Sequence, residues 1–65
     1  MFEYDIYFWY WEDLDEFEDA LIRNGIDYDF AGAYFDQLLV YGDWDDADEA
    51  EFLMRLYGIE FYPYI

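Results

Sequence analysis

Several residue types that carry much of protein chemistry are missing from this chain. Its 65 residues contain no Cys, His, Lys, Ser or Thr, and its only basic side chains are Arg23 and Arg55. The lack of Cys excludes disulfides, thiolate metal sites and thiol nucleophiles. The other absences exclude a Ser-His-Asp arrangement, a His-rich zinc site and a Schiff base. We therefore expect a protein that is not an enzyme and that uses no cofactor and no metal.

Positive charge is equally scarce. Two arginines stand against 18 acidic residues, so the formal net charge is −16. Such a chain does not bind nucleic-acid phosphates or anionic lipid surfaces directly. Its composition is nevertheless that of a folded protein, because 58% of the residues are hydrophobic and 29% are aromatic, whereas highly charged disordered chains are poor in aromatics. Residues 1–65 are expected to form a single acidic domain.

Long apolar runs and a basic leader are also missing. No basic residue precedes an apolar segment near Met1, as a secretory signal would require. No segment approaches the ~18 apolar residues of a membrane helix. We expect a soluble intracellular protein with no membrane contact.

Residues 2–11 alternate with a period of two, which predicts a β-strand. Phe2, Tyr4 and Ile6 fall on one face of this strand. Its second half is apolar on both faces, which predicts that both sides are covered there.

Residues 13–24 change to a helical period. Asp13 is the predicted N-cap, and the Asn-Gly pair at 24–25 is a strong helix end. One turn separates Asp19 from Arg23, so we expect these two side chains to form an ion pair.

A second helix is predicted over residues 30–41. It would be apolar almost all round, which is typical of a central core helix or of half an interface. Gly32 and Val40 disfavour a helix, and a strand over 37–41 is the alternative. A turn is expected over 42–45.

A third helix is predicted over 46–57, with Glu51 and Arg55 one turn apart as an ion pair. Residues 59–64 form the last predicted strand, and Pro63 marks it as an edge strand. The order of strand, three helices and strand predicts an α+β fold. In it the terminal β-strands pair and about three helices pack on one face.

The acids are concentrated at two of the predicted helix starts. Residues 12–19 contain six acids, and residues 43–51 contain another six. Interaction with the helix dipole explains two or three acids per helix, but further like charges one turn apart repel. We therefore expect the excess to contact a partner. The candidate contact residues are Glu12, Asp13, Asp15, Glu16, Asp19, Asp43, Trp44, Asp45, Asp46, Asp48 and Glu51.

Three interpretations of this excess are open. The first is a DNA mimic, because two rows of carboxylates could occupy a basic groove built for phosphates. The second is an acidic module that binds another basic protein, such as an antitoxin or an inhibitor, without imitating DNA. The third is cation binding or general solvation, although Ala47, Asp48 and Met54 break the calcium-loop pattern of an EF-hand.

In size, charge density and aromatic content, the whole chain resembles the small acidic anti-defence proteins of phages and mobile elements. Within that group it is most similar to the anti-CRISPR inhibitors of type I Cascade, among them those of type I-C. The resemblance rests on no position-specific motif. It implies a viral DNA mimic that binds the PAM-recognising large subunit of Cascade in the host bacterial cytoplasm and excludes target DNA. We expect it to act as a monomer.

Overall fold

Strands and helices follow one another as strand, helix, strand, strand, helix, strand. The computed structural model describes residues 1–64. The strands are β1 (Phe2–Tyr7), β2 (Asp27–Ala31), β3 (Gln37–Tyr41) and β4 (Glu60–Tyr64), and the helices are α1 (Trp11–Arg23) and α2 (Trp44–Leu56).

The four strands form one sheet in the order β2-β3-β1-β4, and all neighbouring strands are antiparallel. This connectivity is the split βαβ, or ferredoxin-like, arrangement. The α+β class and the pairing of the two terminal strands are thereby confirmed. Pro63 lies in β4 at the edge of the sheet, as predicted, where a missing N–H disturbs no ladder on the outer side.

Both helices cover the same face of the sheet. Tyr4, Ile6, Leu38 and Val40 point from the two central strands into the core and are at most 3% exposed. The apolar stripes of the helices pack against them. These stripes consist of Leu14, Phe17, Ala20 and Leu21 in α1 and of Ala50, Leu53 and Met54 in α2.

The predicted helix over residues 30–41 is wrong, and residues 1–64 contain two helices instead of three. The segment forms a β-hairpin from β2 and β3, and the alternative strand over 37–41 is confirmed. Gly32 (φ 86°) and Phe35 (φ 54°) adopt left-handed backbone conformations that a right-handed helix cannot contain. The apolar run that suggested a helix comes from a central strand with apolar or aromatic side chains on both faces, of which only Leu38 and Val40 are buried.

The first predicted strand is too long. β1 ends at Tyr7, and α1 already begins at Trp11. The predicted burial on both sides of the second half is also wrong, because Trp9 is 89% exposed and Tyr10 is 66% exposed. These aromatic residues form the connection between β1 and α1, outside the sheet.

The start of α1 also differs from the prediction. Tyr10 occupies the N-cap position without a side-chain cap, and its carbonyl oxygen accepts a hydrogen bond from the Asp13 N–H. The end at Asn24 is confirmed. Arg23 is not paired with Asp19 within residues 1–64. Its guanidinium instead donates to the Tyr57 hydroxyl oxygen over 3.3 Å.

The start of α2 lies inside the predicted turn. The helix begins at Trp44 because Asp43 caps it from the preceding position. The predicted ion pair between Glu51 and Arg55 is confirmed, with an N···O distance of 3.7 Å.

Candidate functional site

The carboxylates of α1 lie mainly on its outer surface. Glu12, Asp15, Glu16 and Asp19 are exposed, while the buried stripe of the same helix faces the sheet. Asp13 is half-buried. Helical spacing therefore divides this acidic segment into an outward row and a core stripe.

Two of the predicted contact residues, Asp43 and Asp46, cap the start of α2. The Asp43 carboxylate accepts hydrogen bonds from the N–H groups of Asp45 (3.1 Å) and Asp46 (3.2 Å). The Asp46 carboxylate accepts one from the Asp43 N–H over 3.1 Å. This reciprocal capping box satisfies N–H groups at the helix start. In a chain without Ser or Thr, aspartate supplies the cap.

Glu51 is engaged as well. Its carboxylate accepts a 2.8 Å hydrogen bond from the buried Tyr4 hydroxyl and lies beside Arg55. Burial, and then this hydrogen bond, raise the pKa of Tyr4 well above its ordinary value. Glu51 thus ties α2 to the central strand of the sheet.

Glu18 has the corresponding role in α1. Its carboxylate accepts a 2.6 Å hydrogen bond from the Tyr28 hydroxyl of β2. Burial first, and then this bond, raise the pKa of Tyr28 to about 12. Each helix is therefore fastened to the sheet by one tyrosine–glutamate contact.

Eight acids of the two segments remain, and two of them, Asp13 and Glu49, are half-buried. The other six form the helix-layer carboxylates, which are the part of the predicted site that is open to a partner. All of them are exposed, and none accepts a hydrogen bond or joins an ion pair within residues 1–64. The set comprises Glu12, Asp15, Glu16, Asp19, Asp45 and Asp48.

The topology separates the two acidic helix starts. β1 and β2 run in the same direction, since both pair antiparallel with β3 between them. α1 therefore begins beyond the Tyr7 end of β1 and returns the chain to the opposite end of the sheet, where β2 starts. α2 begins at the opposite end, where the Trp44 ring meets the Phe2 ring at 4.8 Å. The two helices therefore run antiparallel across one face, and their carboxylates form two rows that are densest at opposite ends. Trp44 is 74% exposed at the second of these ends.

The sheet face away from the helices is a second acidic surface, which the sequence analysis did not single out. Register and alternation bring acidic and tyrosine side chains from all four strands onto this open face. The Tyr41 hydroxyl donates to the Asp29 carboxylate over 2.8 Å, and this hydrogen bond raises the pKa of Tyr41. Nearby negative charge on Glu60 raises the pKa of Tyr62. The acids of this face are Glu3, Asp5, Asp27, Asp29 and Glu60, and its tyrosines are Tyr7, Tyr41, Tyr62 and Tyr64.

The signal for that face was the alternation Glu3, Asp5, Tyr7 in the first strand. One strand alone does not reveal a surface, because the other contributing residues become neighbours only through pairing of the strands.

Within residues 1–64, no group of three or more acidic side chains is placed to hold a metal ion. Neither helix in this part of the chain is long and apolar enough to cross a membrane. No family model, curated protein or solved structure matches the chain.

Proposed function

We propose that this protein is a DNA-mimic inhibitor of the anti-CRISPR type. It binds the basic DNA-binding groove of a bacterial defence complex such as Cascade, at the subunit that reads the PAM, and keeps target DNA out. It acts stoichiometrically in the host cytoplasm and catalyses no reaction.

The charge density of the helix layer carries this proposal. Residues 12–19 and 43–51 each contribute six carboxylates, twelve in all. A helix of this length extends over about 20 Å, and 20 Å of duplex DNA carries about 12 phosphate charges. The helix layer therefore carries nearly the same number of negative charges over the same length, and six of them, the helix-layer carboxylates, are exposed to a partner.

Little positive charge offsets these carboxylates. Arg55 lies beside Glu51 and over the Phe61 ring, 5.2 Å from its centroid. Arg23 donates to the Tyr57 hydroxyl oxygen. Neither arginine pairs with a helix-layer carboxylate within residues 1–64. These carboxylates would therefore attract a cationic partner over a distance and orient it before contact.

Charge reversal on the helix layer tests the proposal. The double variants Asp15→Lys/Asp19→Lys and Asp45→Lys/Asp48→Lys leave the capping box and both tyrosine–glutamate contacts intact. We expect each to weaken capture of a DNA-binding protein from bacterial lysate by about tenfold or more, because the new lysines would face the lysines and arginines of the basic groove. Wild-type capture should fall with added salt and with added duplex DNA.

The matched control changes the net charge equally on the other side of the molecule. Asp5→Lys/Asp27→Lys on the open face should retain most of the capture. If duplex DNA does not compete with the captured protein, the chain is an acidic binding module rather than a mimic. If all three double variants lose capture equally, the net charge matters and the helix layer is not the contact surface.

A further inference from the structure

Exposed aromatic side chains gather at the end of the sheet where β1 finishes. They come from the connection between β1 and α1 and from the β2–β3 loop, and each is at least half exposed. This group, the aromatic end, consists of Tyr7, Trp9, Tyr10, Trp11, Tyr34 and Phe35. Large exposed apolar groups of this kind mark interaction sites on soluble proteins.

The aromatic end is held in place by packing. The Trp11 ring makes edge contacts with the Phe8 ring at 5.0 Å and with the Phe35 ring at 6.2 Å. The Ile6 N–H donates to the Asp36 carbonyl oxygen over 2.8 Å and fastens the β2–β3 loop to β1. These contacts join two loops that are distant in sequence into one surface.

The loop also contains a strained residue. Phe35 has a φ of 54°, a left-handed conformation that a bulky side chain rarely adopts. The chain could have avoided this strain with Gly or Asn. Strain of this kind persists where the surroundings hold a residue in place, and it concentrates at functional sites.

Two depressions flank the segment 7–9, and each contains one carboxylate among aromatic walls. The first is lined by Tyr7, Phe8, Trp9 and Glu60. The second shares this segment and adds Trp11, Tyr34 and Asp36. A carboxylate beside aromatic rings is suited to a guanidinium group, which stacks on a ring and donates two parallel hydrogen bonds to a carboxylate.

We infer that the aromatic end binds arginine side chains on the protein partner and that it prefers arginine to lysine. This inference rests on the proposed function, which supplies a basic partner, and it names the surface that anchors it. The net charge of −16 favours a cationic protein over a second copy of this chain, whose approach it opposes. Aromatic residues at such a site commonly contribute most of the binding energy, whereas the helix-layer carboxylates attract any cation.

Labelled octa-arginine and octa-lysine peptides test the preference by fluorescence anisotropy at moderate salt. We expect the wild-type protein to bind octa-arginine about tenfold more tightly. The variant Trp9→Ala/Tyr34→Ala should lose that advantage and bind both peptides as wild type binds octa-lysine. Tyr64→Ala is the matched control, because Tyr64 is also an exposed aromatic residue (62%) but lies at the opposite end of the sheet, and it should keep the preference. Melting curves verify that all variants are folded.

Equal affinity for the two peptides, or equal loss in Tyr64→Ala, would overturn the inference. So would a wild-type dimer in sedimentation that Trp9→Ala dissociates, since the aromatic end would then bind its own copy. Failure of the proposed function would be a separate result. In that case duplex DNA would not compete with the captured protein. The peptide preference can stand or fall without that competition.

Discussion

Removing one buried hydroxyl group tests how the helices are fastened to the sheet. Tyr4 is 3% exposed, and its hydroxyl donates to a Glu51 carboxylate oxygen over 2.8 Å. A hydrogen bond to a charged partner contributes about 1.5–3 kcal/mol. In Tyr4→Phe the carboxylate keeps Arg55 and its 26% exposure to water. The free energy of unfolding should therefore fall by an amount at the lower end of this range, about 1.5 kcal/mol.

Thermal and urea unfolding followed by circular dichroism measure this loss. In a domain of this size 1 kcal/mol corresponds to about 4–8 °C in Tm, so Tm should fall by about 6–12 °C. Tyr34→Phe is the control, because Tyr34 is 75% exposed, and its stability should change by less than about 0.5 kcal/mol.

The same variant has a defined pH dependence. The pKa of Tyr4 is raised above its ordinary value of 10.0 in the folded protein, by burial first and by Glu51 second. The folded state then holds the proton more tightly than the unfolded state. The contribution of the protonated Tyr4 hydroxyl to the free energy of unfolding is complete below about pH 10. Above that pH it declines by about 1.4 kcal/mol per pH unit.

The difference in unfolding free energy between wild type and Tyr4→Phe should accordingly shrink between pH 10 and pH 11. A variant as stable as wild type at pH 7 would refute the role assigned to the hydroxyl group. A difference that stays constant up to about pH 11 would refute the raised pKa of Tyr4 in the folded protein.

Three further perturbations follow from the same contacts. Asp43→Ala removes the capping box and should destabilise the protein by about 0.5–2 kcal/mol in urea unfolding. The Asp45 side chain does not cap the helix, so a similar loss of stability in Asp45→Ala would contradict this prediction. Gly32→Ala should lower stability by more than about 1 kcal/mol, because φ is 86° and a β-carbon would overlap the Asp36 carboxylate; an unchanged melting curve would show that the loop rearranges freely. Raising NaCl from 20 mM to 500 mM should raise Tm, since salt screens self-repulsion in a chain of net charge −16; an unchanged Tm would show that the carboxylates are already well separated.

Local patterns were sufficient for most of the secondary structure. The spacing of Leu14, Phe17 and Leu21 placed the first helix within two residues, and the Asn-Gly pair placed its end. The last strand and its edge position followed from Pro63. The 30–41 segment was different, because its strand β3 has apolar or aromatic side chains on both faces and so shows no clear period, and periodicity alone does not separate that case from a buried helix.

The candidate site, too, could be predicted from the sequence only in part. The excess of carboxylates was evident from the sequence, but the sequence could not separate those bonded within the fold from those left exposed. Asp43, Asp46 and Glu51 have specific hydrogen-bond partners. The contacts of Asp43 and Asp46 depend on where α2 begins, and the contact of Glu51 depends on where β1 lies.

The sequence by itself determined the net charge, the absence of Cys, His, Lys, Ser and Thr, and the two amphipathic helices, because composition and short-range spacing are sufficient for these. Tertiary structure decided the rest. Strand pairing assembled the open acidic face, and the antiparallel course of the helices sent their acidic starts to opposite ends. Loop packing brought residues 7–11 beside Tyr34 and Phe35. Each of these surfaces joins residues far apart in the chain, and only long-range pairing makes them neighbours.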